Sequence, residues 1–129
     1  MTLQEREAHA CAIIDSMAIK LRDVSLYLHD NPELGLNEHK AVKVINQFLE
    51  THNFTSQVGL TDLPELQTAL RGDYNGTAQH KIAFLGEYDA LPELGHGCGH
   101  NLIAMMSLGA AIAFSQSAPE AWGTTFFGC

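Results

Sequence analysis

The chain has 129 residues, 46% of them hydrophobic, and a formal net charge of −8 from 7 basic and 15 acidic side chains. This is the size and composition of one ordinary globular core, and the lack of a basic stripe argues against nucleic acid or an anionic membrane as partner. The 3 cysteines, Cys11, Cys98 and Cys129, are too scattered for a disulfide framework and too odd in number to pair completely, so a reducing cytoplasm fits best.

The start, Met1 to Glu7, is polar and acidic, without the basic head and apolar run of a signal peptide. No segment reaches membrane-spanning length, and the sequons at Asn53 and Asn75 are expected to stay unmodified. Thr2 and Glu5 then form a capping-box pattern, and Ala10, Ile14, Met17, Leu21, Val24 and Leu28 recur at helical spacing. A long first helix is expected to end around His29-Asp30-Asn31-Pro32, because proline disfavours helix in the residue before it. Cys11 is expected to pack within that helix. Asn37 is placed to cap a second helix, with Ala41, Val44, Ile45, Phe48 and Leu49 as its apolar face, closing at His52-Asn53.

Phe54 to Val58 and Gln67 to Leu70 read as short strands, and Asp73-Tyr74-Asn75-Gly76 as a turn ahead of a strand at Lys81 to Leu85. The second and third of these strands are expected to pair as a hairpin with a long turn. Leu102 to Phe114 is nearly all apolar or small, which predicts a helix buried on a sheet. A loop at Ser115 to Glu120 and a last strand at Trp122 to Cys129 follow. Alternating helices and strands predict an α/β layer fold, with no internal repeat or domain boundary.

Between the third strand and the third helix stand Gly86-Glu87-Tyr88-Asp89-Ala90-Leu91-Pro92 and His96-Gly97-Cys98-Gly99-His100-Asn101. Thiolate and imidazole hold zinc and similar ions, and carboxylates beside such an ion orient or deprotonate water. In an extended segment His96, Cys98 and His100 would face one way, as would Glu87 and Asp89. The acids would emerge at a strand's C-terminal end, where open α/β sheets bind ligands. For Cys98 with His100 the metal reading leads. His96 is equally a ligand or an imidazole that orients one, and a histidine-activated thiol nucleophile is the weaker third reading. His9, His39, His52 and His80 are assigned to packing or polar contacts.

With these motifs, and with His29-Asp30-Asn31-Pro32-Glu33-Leu34-Gly35 and Glu38 before them, the chain resembles the aminoacylase/carboxypeptidase family of metal-dependent amidohydrolases. That family includes hippurate, indole-acetyl-amino-acid and aminobenzoyl-glutamate hydrolases. The resemblance implies Cys98 and His100 as metal ligands, with Asp89 as the catalytic-site carboxylate that orients or tunes the centre. It places Glu87, His96 and Asn101 around them, and it makes the His29 motif structural. Asn101 stands where many members have aspartate, as in the aminobenzoyl-glutamate hydrolase and dipeptidase-like branch. The implied cofactor is a divalent metal, zinc or manganese, as one or two ions in the complete enzyme.

In the family, a strand like Thr124 to Cys129 leads into a Pro-Ala-Glu-Glu segment with the general base and another ligand. Further histidines and a dimerisation or lid domain come later. The 129 residues therefore read as the truncated front half of a mixed-sheet metallopeptidase catalytic domain. The implied complete enzyme is a cytoplasmic homodimer that cleaves the amide bond of N-acyl amino acids, aminobenzoyl-glutamate-like compounds or dipeptides. In it a metal-bound water attacks the carbonyl and a carboxylate carries its proton to the leaving amine. The alternative is a non-catalytic metal-binding or assembly remnant, and this chain alone is expected to be inactive.

Overall fold

The computed structural model describes residues 1–60 and 62–129. In chain order the elements are α1 (Leu3–Asp30), α2 (His39–Thr51), β1 (Thr55–Val58), β2 (Leu70–Tyr74), β3 (His80–Gly86), α3 (His100–Ser117) and β4 (Trp122–Gly128). The capping box forms as its pattern predicts: Thr2 Oγ1 accepts from the Glu5 N–H, and the Glu5 carboxylate accepts from the Thr2 N–H. Helix α1 stops at Asp30, just before Asn31-Pro32.

Helix α2 starts by a different device from the one its sequence suggests. Glu38, not Asn37, holds the N-cap position, and its side chain makes no capping bond. Glu33 caps the helix from a distance, its carboxylate accepting from the backbone N–H groups of Lys40 and Ala41 at 2.9 Å. Helix α3 begins at His100, two residues before the apolar run, and continues through Ser117.

The four strands form one mixed sheet in the order β1-β2-β4-β3. Pairs β1/β2 and β2/β4 are antiparallel, and β3/β4 is parallel. The expected hairpin between the second and third strands is thus wrong, because β4 inserts between them. Its Gly123 to Phe126 are all buried and take the central place. A parallel partner needs a crossover connection rather than a turn, and α3 is that crossover. Strand β2 is also shifted: Gln67 and Thr68 lie in a turn, while Asp73 and Tyr74 belong to the strand. The chain turns after them, at Asn75, whose φ is 53°.

Helices α2 and α3 cover one face of the sheet, and α1 packs on α3 as an outer layer. Gly72, Phe126 and Phe84 lie side by side across β2, β4 and β3 on the covered face. There Gly72 lets Leu49 of α2 approach, and Phe84 meets Phe114 of α3. The neighbouring row on the opposite face, Arg71, Phe127 and Leu85, is exposed. On α1, Ile13, Met17 and Leu28 are buried, while Ala10, Ile14, Leu21 and Val24 are partly buried against the core. Cys11, expected to pack, is exposed because it lies one step off that stripe. Among the described residues no helix is long and apolar enough to cross a membrane.

Candidate metal centre

The chain leaves β3 at Gly86 still extended, and the Tyr88 N–H donates to the Cys129 carbonyl at 2.9 Å, prolonging the β3/β4 pairing. Glu87 and Asp89 project on one side, whereas Tyr88 between them is fully buried. Leu91 to Gly99 then form a series of turns, closed by paired N–H···O bonds between Leu91 and Gly95 and by Gly99 N–H to His96 O at 3.0 Å. Gly99, at φ 85°, is the N-cap of α3, a left-handed conformation that glycine adopts without cost. His100 is therefore the first residue of that helix.

The expected row of His96, Cys98 and His100 on one face does not form, since the turns break the extended geometry on which it depended. His96 is buried, Cys98 is exposed and His100 is partly buried. The structure instead joins His100 to both acids. Its Nδ1–H donates to Asp89 Oδ1 at 2.8 Å, and its Nε2 meets Glu87 Oε2 at 2.9 Å. The acids at the end of β3 thus face the first turn of α3, where the helix dipole favours negative charge.

His96 is held in the interior with Nδ1 unpartnered among the described residues. Burial pushes its imidazole below the ordinary range, and the nearby His100 and His29 push the same way. Asn101 turns from the site: its side-chain amide donates to the backbone carbonyl and the hydroxyl of Ser25 on α1. Of the histidines assigned to packing, His52 stacks on Phe48 and His80 tilts against Trp122.

The His29 motif has a definite place under the site. The Ala90 N–H donates to Glu33 O at 2.7 Å, Leu34 bridges Ala90, and Gly35 lies beside Asp89. The sequence motif includes Tyr88 without giving it a role and leaves out Thr68, yet the Tyr88 hydroxyl donates to the Thr68 carbonyl beneath this region. The signal available was the alternation Glu87-Tyr88-Asp89, an aromatic between two acids at a strand end.

The donor chemistry fits part of a divalent-ion shell. The Asp89 carboxylate holds His100 Nδ1 as a donor, as the outer partner of a metal-binding histidine does, and Nε2, the nitrogen left for an ion, meets the Glu87 carboxylate here. A Cβ added at Gly99 would meet nothing within 4 Å. Among the described residues, no three His, Cys, Asp or Glu side chains stand close enough together to hold an ion.

The mouse (Mus musculus) Xaa-Arg dipeptidase is 35% identical over 116 residues, which cover 85% of this chain and 27% of that protein. One of the subunits of the Escherichia coli p-aminobenzoyl-glutamate hydrolase is 31% identical, covering 83% of this chain and 26% of that protein. Among solved structures, a Bacillus subtilis dinuclear metal-binding peptidase of the M20 family superposes with a TM-score of 0.73 at 24% identity, covering 88% of this chain and 35% of that one. No family model matches the chain. It spans about a quarter of the length of the curated relatives it matches. The mixed sheet with its packed helices corresponds to part of the M20 peptidase domain, and the chain belongs, over that part, to the M20 peptidase and amidohydrolase family.

Proposed function

We propose that the chain is the N-terminal part of a catalytic domain that hydrolyses the amide bond of N-acyl amino acids, aminobenzoyl-glutamate-like compounds or dipeptides. The observation that carries the reading is His100 fixed between Asp89 and Glu87 at the mouth of the parallel strand pair. Cys98 and His100 are the ligands this chain contributes to a divalent ion, zinc or manganese, and Asp89 orients His100. Glu87 stands at the ion's side of the ring, and His96 backs the loop from the interior. The ion would supply Lewis acidity toward the amide carbonyl. The general base, the remaining ligands and any dimerisation domain belong to the part of the relatives this chain does not span, and a cytoplasmic location suits the free cysteines.

The experiment is competitive zinc titration against a chromophoric chelator, followed by assay with zinc, manganese or cobalt on hippurate-like and aminobenzoyl-glutamate-like substrates. Cys98→Ser should lose most of the zinc affinity and Cys11→Ser none of it. Equal losses would sink the ligand assignment. Zinc binding without turnover is the result expected of this chain alone. Turnover that vanishes in Cys98→Ser would show that these 129 residues suffice for catalysis.

A further inference from the structure

Glu38 is the most buried acid among the described residues, 3% exposed. Its Oε1 accepts from the Leu36 N–H at 3.0 Å, and its Oε2 accepts from the Thr68 hydroxyl. Burying a carboxylate is costly unless its oxygens are engaged, and an apolar side chain of similar size would fill the space more cheaply. A packing role therefore leaves this glutamate unexplained. Its partner Thr68 lies in a turn outside every strand, so side-chain ties rather than a ladder set its position. The Thr68 carbonyl accepts from the Tyr88 hydroxyl.

Tyr88 connects this buried chain to the site. In extended backbone, neighbouring side chains point to opposite faces, so the direction of the ring sets the direction of Glu87 and Asp89. The ring is fixed on three sides: by its hydroxyl on Thr68, by its backbone N–H on Cys129, and by Gly128, where a Cβ would come within 2.5 Å of the ring. Burial first, and the charges of Glu38 and Cys129 next, hold the Tyr88 hydroxyl far above its ordinary pKa, so it stays a donor.

We infer that Glu38, Thr68 and Tyr88 form a buried positioning chain that aims the Glu87 and Asp89 carboxylates at His100, with Glu38 as its anchor. None of the three is a catalytic residue. They act through the backbone of the segment that carries the acids. The inference deepens the metal-site reading above and rests on it for its functional meaning.

The metal-free chain supplies the readout. In isotope-labelled protein, the proton that Asp89 accepts from His100 Nδ1 should give a ring N–H resonance protected from solvent exchange. Tyr88→Phe keeps the ring but strands the Thr68 carbonyl, and Glu38→Gln removes one of two acceptors. Loss of a buried partner of this kind should speed that exchange about tenfold. Thr68→Ser, which retains hydroxyl and carbonyl, should behave as the parent, and Thr68→Val replaces either variant that fails to fold. Leu49→Ala, a core truncation away from the chain, should lower the melting temperature yet leave the exchange unchanged. Absence of a protected ring proton in the parent, or equal acceleration by Leu49→Ala and Tyr88→Phe, would overturn the inference. A protected proton in a parent that binds no zinc would instead remove the metal reading and leave the positioning chain standing.

Discussion

Asp89 accepts from His100 Nδ1 at two points, its side-chain Oδ1 at 2.8 Å and its own backbone carbonyl at 3.1 Å. A carboxylate and a carbonyl can only accept, so Nδ1 carries a proton; Nε2, which meets the Glu87 carboxylate at 2.9 Å, is the nitrogen an ion would take in exchange for that contact. The sequence separates these residues by a glycine-rich loop. Strand β3 and helix α3 bring them together.

Removing this orienting partner has a measurable consequence. Asp89→Ala should weaken zinc binding about 10- to 100-fold, as loss of an outer partner of a metal-binding histidine does. Chelator competition reads the affinity, and far-ultraviolet circular dichroism checks that the fold is retained. Unchanged affinity would exclude the orienting role.

Glu33 should matter to stability although it lies on no helix. Its carboxylate takes the place of an N-cap for α2 at the backbone N–H groups of Lys40 and Ala41, and losing such a cap costs about 1 kcal/mol. Urea unfolding of Glu33→Ala should show a midpoint reduced accordingly, with the slope unchanged. A variant as stable as the parent would mean that water satisfies those groups equally well.

Asp73 on β2 gives the chain an acid-sensitive contact. Burial alone would raise its pKa, but bonds from Arg71 at 2.8 Å and from Thr125 at 2.6 Å outweigh this and leave it below the ordinary carboxylate range. A depressed folded-state pKa means that the unfolded chain binds the proton first. The stabilisation is thus fully present above the unfolded carboxylate range and is lost as pH falls through the folded value. Asp73→Asn should flatten the acid limb of a stability-against-pH curve and leave its neutral limb parallel to the parent. An acid limb of unchanged steepness would assign the acid loss to other groups.

The uncovered face of the sheet should govern self-association. Leu85 is 68% exposed and Phe127 37% exposed, side by side on paired strands, with Arg71 stacked on the Phe127 ring at 5.4 Å. Strand β3 is also an edge of the sheet, and exposed apolar edges invite association. Light scattering of concentrated Leu85→Lys should show less self-association than the parent, whereas Ile19→Lys, on the exposed side of α1, should show no such change. Equal behaviour of the two variants would acquit the sheet face.

The local features that the sequence determined are those fixed by short-range chemistry. Thr2 and Glu5 cap a helix wherever the chain goes, Pro32 stops it before Asn31, and the apolar run from Leu102 becomes a helix that buries Ala104, Met105, Leu108 and Ile112 while Leu102, Ile103 and Met106 stay exposed. The family, too, was legible, since its motifs are contiguous runs of residues. Tertiary structure decided the neighbours. The pairing of β2 with β4 rather than β3 depends on which strand buries most area at the centre of the sheet, a comparison that no single segment contains. The same holds at the site: the turns from Leu91 to Gly99 bury His96, leave Cys98 exposed and set His100 against Glu87 and Asp89. Spacing along a chain predicts which side chains share a face only while the backbone keeps one period, and glycines at 97 and 99 allow it to change.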